Sequence, residues 1–186
     1  MRIRRLLILA AGLFFAVSGT AGAQDGAKAG VTIGYPASIG LIWHATEKVA
    51  IRPAFSFSHN SSDSPNGSVE SDGLAFGLDL GVLFYLKKYD NVRTYVSPRF
   101  SYTHTTTTST SSSPTSVLPE IETTSNSTGA AGVFGAQYSP SNRFSVYGEV
   151  GLAYTHRHTE SGPSSLGTFK SNTFGTTAGV GVIFYP

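Results

Sequence analysis

Four of the five histidines, His59, His104, His156 and His158, sit in polar segments rich in hydroxyl side chains. Clustered neutral imidazoles can ligate a transition metal. No H-x-x-x-H pair accompanies them and the chain has no cysteine, so no metal and no cofactor is expected. The segments "SHNSS" and "THRHTE" bring serine, histidine and an acid close in sequence, the residue types of a hydrolase. A catalytic triad is defined by geometry and role rather than by composition. These types are common in any polar rim, and no catalytic residue is expected. A second set is more specific. Arg52, Asp79, Arg99 and Glu149 interrupt stretches of otherwise small or apolar residues. Two bases and two acids nearly cancel, and buried charges are tolerable only when paired. One hydrogen-bonded cluster of all four is expected.

The elements that carry them alternate with a period of two residues, the mark of strands with two unlike faces. "VAIRPAFSFS" places Val49, Ile51, Pro53, Phe55 and Phe57 on one face and Arg52 on the other. "GLAFGLDLGVLFYL" does the same with Leu74 to Leu86 against Ala75, Gly77, Asp79, Gly81, Leu83 and Tyr85. "TYVSPRFSYTH", "AAGVFGAQY", "FSVYGEVGLAYTHRH" and "GTTAGVGVIFYP" continue the pattern. The second face is not a Lys/Glu/Gln surface. It is mostly Gly, Ala, Ser and Thr, which suits the tight interior of a narrow barrel.

Connections alternate in length. "HATEK", "KKYDN" and "SPSNR" are short, whereas polar loops are expected after Ser58, over about 105–127, and around 159–170. "IRPAFSFSH" is echoed by "VSPRFSYTH", and "GVLFYL" by "GVIFYP", as repeated hairpins of one design would be. Proline removes a ladder donor, so bulges are expected at Pro53 and Pro98.

Aromatic residues on the apolar face sort by height. Trp43, Phe84, Tyr138, Phe144 and Phe184 lie beside the short turns; Phe57, Phe76, Tyr102, Tyr154 and Phe174 lie beside the long loops. Two aromatic belts flanking an apolar band characterise a barrel that crosses a membrane. Seven strands are clear, the first ending at Trp43. An eighth requires a turn at Tyr35-Pro36-Ala37-Ser38; otherwise one strand runs unbroken from Val31 to Trp43 and the count is odd. Eight strands, with a cramped first hairpin, is the favoured reading.

At the N-terminus, three arginines precede an apolar run from Leu6 to Val17 and the small residues Ala21-Gly22-Ala23. This pattern predicts a cleaved secretory signal over residues 1–23, followed by a single domain over 24–186. Without Arg2, Arg4 and Arg5, 10 Lys and Arg face 11 Asp and Glu. The basic whole-chain balance therefore gives no reason to expect nucleic acid as a partner. The lack of cysteine excludes disulfides and a lipid-anchored N-terminus.

In these features the chain resembles the small Gram-negative outer-membrane β-barrels of the outer membrane protein A and X type. The resemblance implies an all-β, closed, up-and-down antiparallel transmembrane barrel of eight strands in the outer membrane. It also implies long loops outside, short turns in the periplasm, and outer-membrane lipid and lipopolysaccharide as surroundings. Such chains end in a strand that the barrel-assembly machinery reads. Thr177, Gly179, Val182 and Phe184 fit that signal, although Tyr185 and Pro186 follow where the family places its last aromatic. The role implied is structural or surface-interacting and non-enzymatic. A narrow passive channel and, further off, a lipid-acting enzyme are the alternatives.

Overall fold

The computed structural model describes residues 29–186 apart from 37, 65–68, 114–115, 118–119 and 163–166. The predicted signal segment lies outside the described residues. Nine strands are present: β1 (Ala29–Tyr35), β2 (Ser38–His44), β3 (Val49–Asp63), β4 (Val69–Tyr89), β5 (Val92–Ser113), β6 (Ser116–Val117), β7 (Ile121–Ser141), β8 (Phe144–Ser161) and β9 (Thr168–Phe184). β6 is a two-residue appendage of β5. The other eight form a closed antiparallel ring, β1 pairing with β9 from Val31↔Phe184 to Tyr35↔Val180.

The first hairpin resolves the strand count. β1 and β2 pair from Ala29↔Trp43 to Gly34↔Ser38 and turn at Tyr35-Pro36, whose peptide bond is cis. Each is only 7 residues long, below the ~9–11 usual for a spanning strand.

Elsewhere the strands exceed that span. β4, β5 and β7 run 21, 22 and 21 residues. At ~3.3 Å per residue, β5 is roughly 70 Å long, well beyond an apolar band of ~25 Å. The segment expected as a loop over 105–127 is therefore mostly ladder. Thr105 pairs with both Ala75 and Ser125, and the register continues to Ser109↔Ile121. Threonine is β-branched and favours extended backbone, and hydroxyl pairs bridge adjacent strands, such as Ser125 Oγ with Thr159 Oγ1 at 3.0 Å. The polar stretches flanking the other two expected loops are strand as well, β3 reaching Asp63 and β8 reaching Ser161.

Neither proline makes a bulge. Around Pro53 the β2–β3 pairs on either side keep one register, Gly40↔Ala54 and Trp43↔Ile51, with two pairs missing between. Around Pro98, Gly81↔Arg99 and Phe84↔Val96 bracket a like gap. The ladder skips the missing donor because intact bonds above and below hold the register. The register shifts fall instead beside short turns, at Tyr85/Lys87 and Tyr138/Ser141.

The inside/outside assignment holds on every barrel strand. Ile33, Ile39, Phe55, Leu78, Phe100, Phe134, Val150 and Val180 are exposed on the outer wall, while Ile42, Ala50, Leu83, Tyr95 and Ile183 are buried inside it.

Candidate functional site

The lumen changes character along its length. At the short-turn end it is filled by tyrosines. Tyr85 donates to Gln137 Oε1 at 2.9 Å and stacks on His44 at 5.6 Å. Gln137 Nε2 donates to Ser145 Oγ at 3.1 Å and to the Tyr185 hydroxyl at 3.3 Å, and that hydroxyl also lies 3.1 Å from His44 Nε2. Tyr185 thus continues the alternation of β9 past Phe184 and closes the barrel floor. Its backbone N–H donates to Arg143 O at 2.9 Å.

Glycine on the lumen face makes room for these rings. A Cβ on Gly181 would collide with the Tyr147 ring, and one on Gly34 would lie 2.6 Å from its hydroxyl. A Cβ on Gly135 would lie 2.6 Å from Tyr95 Cε2. Gly135→Val is accordingly expected to destabilise the barrel by about 1–3 kcal/mol through overpacking. A lowered midpoint in a urea titration checks it.

Above the tyrosines lies a charged layer. Glu149 Oε1 accepts from Arg52 Nη2 at 2.5 Å and from the Tyr95 hydroxyl at 2.6 Å. Glu149 Oε2 accepts from Arg99 Nη2. The Arg52 guanidinium also lies over the Tyr147 ring, 4.5 Å from its centroid. Three strands far apart in sequence, β3, β5 and β8, meet here. Asp79 does not join them. It faces the lumen on β4, between Ala54 and Ser101, and makes no hydrogen bond or ion pair with a described residue. The expected cluster of four is a triad of Arg52, Arg99 and Glu149 with Tyr95 as a fourth member. Tyr95 was absent from the sequence-based set. Lumen-face parity alone was the signal available for it.

Beyond this layer the lining shrinks to small residues: Ser56, Gly77, Ser101, Gly129 and Thr177 face inward there. Further along β3, β4 and β5, a concavity of about 260 Å³ is lined by residues such as Ser58, Asn60, Gly73, Ala75 and Thr105. Of the triad, Arg99 is the most open, its side chain 21 % exposed against 2 % for Glu149.

The four rim histidines do not converge. His59 is 3.6 Å from Asp72, His156 Nδ1 is 2.7 Å from Asn172 Oδ1, and His158 is 3.0 Å from Glu160. His104 Nδ1 lies 2.7 Å from Asn126 Oδ1, and its Nε2 lies 3.4 Å from Thr106 Oγ1. No group of three or more His, Asp and Glu residues placed to hold a metal ion occurs among the described residues.

On the outer wall the two aromatic levels are in place. Trp43, Phe84, Tyr138 and Phe184 are exposed near the short turns, and Phe144 packs on Phe184 with centroids 5.3 Å apart. Phe57, Phe76, Tyr154 and Phe174 are exposed at the other level. Tyr102 is half-buried between Phe76 and Asn126, donating to Asn126 Oδ1 at 2.9 Å. Residues 7–184 match the family described as outer membrane protein beta-barrel domain. The chain belongs to that family. Two outward aromatic levels with an apolar wall between them are the pattern of an outer membrane β-barrel.

Two solved structures agree on the fold. A major outer membrane protein from Thermus thermophilus is 15 % identical, with 84 % of this chain and 98 % of that one covered at a TM-score of 0.53. The translocator domain of the autotransporter NalP from Neisseria meningitidis is 12 % identical, with 96 % and 69 % covered at 0.52. A looser likeness is to CarO2 of Acinetobacter baumannii, 14 % identical, with 86 % and 97 % covered at 0.45. A search of curated proteins finds no match.

The expected assembly signal splits between the two faces of this outer membrane β-barrel. Thr177 and Gly179 face the lumen, Gly179 standing opposite Glu149. Val182 and Phe184 face out, Phe184 standing with Phe144 in the aromatic level beside the short turns.

Proposed function

We propose that this protein is a closed, non-enzymatic outer-membrane barrel that works through its extracellular strand crown, in a structural or surface-interaction role. The observation that carries this reading is the filled lumen. Ile42, Ala50, Leu83 and Tyr95 have no exposed surface, and Arg52 and Glu149 are 3 % and 5 % exposed. An eight-stranded barrel leaves an interior that side chains can just fill, and here tyrosines and an ion triad fill it. What remains for contact is the crown of β3–β9 above the outer belt, a broad Ser/Thr surface held as ladder rather than loop.

Absence of catalysis is part of the proposal. Thr106, His104 and Asn126 have the residue types of a hydroxyl, a base and an orienting amide. They lie on strands whose amides are spent in the ladder on both sides, so oxyanion donors of the kind acyl transfer requires are not at hand. The N-terminal signal is cleaved on export and the final strand is read by the assembly machinery in this reading, with outer-membrane lipid and lipopolysaccharide as its surroundings.

Conductance in planar bilayers tests it. The wild-type protein is expected to give no stable conductance steps. Steady steps would replace the closed barrel with the narrow channel, and altered lipid A in cells overexpressing the protein would replace it with the lipid-acting enzyme.

A further inference from the structure

The wall of the barrel is not of even height. The β1–β2 hairpin ends at Tyr35-Pro36, with Tyr35 level with Val180 on β9 and Ile39 level with Phe55 on β3. β3 continues to Asp63 and β9 begins at Thr168. Over residues 56–63 and 168–179 these strands keep their outer neighbours, β4 and β8. On the other side, no described strand pairs with either. A slot two strand positions wide therefore separates β3 from β9, about 14 Å between their axes at the usual strand spacing.

The slot starts inside the apolar band. Phe55 and Val180 stand at its base, and Phe57 and Phe174 of the outer belt stand on its flanks. These two rings are 59 % and 70 % exposed, Phe174 being the barest of the outer belt. Below them Ile33, Tyr35 and Ile39 present an exposed apolar ledge. Bare strand edges do not persist in hydrocarbon unless their N–H and C=O groups find partners.

We propose that this slot is a lateral binding site for the polyhydroxylated head group of an outer-leaflet amphiphile, whose chain lies along the ledge below. The class follows from the edges. A strand edge presents donors and acceptors in alternation. A hydroxyl serves either one, whereas a carboxylate or phosphate serves only donors and an ammonium only acceptors. The slot's lumen-facing residues, Ser56, Ser58, Thr173, Gly175 and Thr177, carry no charge. Phe57 and Phe174 offer flat apolar faces to the C–H side of a sugar ring. The proposal is independent of whether the lumen conducts, since the slot lies above the triad that fills it.

The test uses the full chain refolded in dimethylamine-oxide micelles, with backbone amides of 55–59 and 171–179 followed by NMR and hydrogen exchange. Decyl maltoside, decyl phosphocholine and free maltose are added in turn at matched concentration. Decyl maltoside is expected to shift these amides and slow their exchange by about tenfold, while the phosphocholine of equal chain length and free maltose leave them unchanged. Equal responses to both amphiphiles, or no response to either, would overturn the proposal. So would amides already protected before any addition in a sample whose mass is that of a dimer, because a second copy would then cover the slot. Phe174→Ala is expected to weaken the maltoside response about fivefold. Phe84→Ala, on the opposite belt, is expected to leave it intact, with heat-dependent gel migration confirming that each variant is folded.

Discussion

Glu149→Ala is expected to be among the most damaging single substitutions in the barrel, costing about 3–5 kcal/mol. Its carboxylate is the shared acceptor for Arg52, Arg99 and Tyr95. Without it two guanidinium groups, one of them nearly sealed from solvent, keep their charge and lose their counterion. The alternative acceptor, Asp79, belongs to the same lumen but forms no ion pair with either arginine, so repair requires side chains to move. Glu149→Gln keeps an oxygen for Tyr95 while losing the charge, and is expected to fall between alanine and wild type. Replacing Arg52, Arg99 and Glu149 together by leucine is expected to cost much less than the single alanine, because a buried ion cluster exchanged for apolar side chains leaves no orphaned charge. Urea titrations of the refolded protein in one lipid, followed by heat-dependent gel migration, measure all three. A triple variant as unstable as Glu149→Ala would mean that packing rather than charge sets the loss.

The second large effect belongs to the outer wall. Val180→Arg is expected to cost about 2–4 kcal/mol, the range for arginine at the bilayer midplane of a barrel. Val180 lies outward on β9, 57 % exposed, between Tyr35 and Gly148 and midway along the strand between Phe174 and Phe184. An arginine there must stay in hydrocarbon or stretch toward an interface. The effect should fade along the strand, so Lys170, already a cation above the outer belt, is expected to tolerate Lys170→Arg with no measurable change. A folding titration in which Val180→Arg matches wild type would reverse the inside/outside assignment of β9.

Much of this was legible in the linear order of residues. Alternation assigned the wall: each face expected for Val49–Phe57, Leu74–Tyr85 and Phe144–Tyr154 is the face the barrel presents, because a period of two leaves only one parity to choose. Belt heights followed from counting along strands. The charged triad was found as charges set among small residues, and Arg52, Arg99 and Glu149 do meet.

Tertiary pairing decided the rest, for reasons of register and reach. The favoured count of eight strands is the one observed, but alternation alone could not decide it, because β1 and β2 pair odd with odd, Ile33 with Ile39, and the pattern passes through the turn at Pro36 unbroken. Only the hydrogen-bonded partner tells a hairpin from one long strand. The Ser/Thr tract looked like loop because its composition is polar. It is ladder because β4 and β7 lie on either side to receive it. Asp79 was grouped with the other charges by depth, yet register sets it level with Ala54 and Ser101, one lumen-facing step beyond the row of Arg52, Gly81 and Arg99, and both arginines pair with Glu149 instead. Tyr185 looked like an overrun of the final signal. It fills the floor because residues remote in sequence, His44 and Gln137, stand across the lumen from it. The slot between β3 and β9 is the clearest case. No residue type marks it, and it exists because a seven-residue hairpin stands between two strands that are much longer.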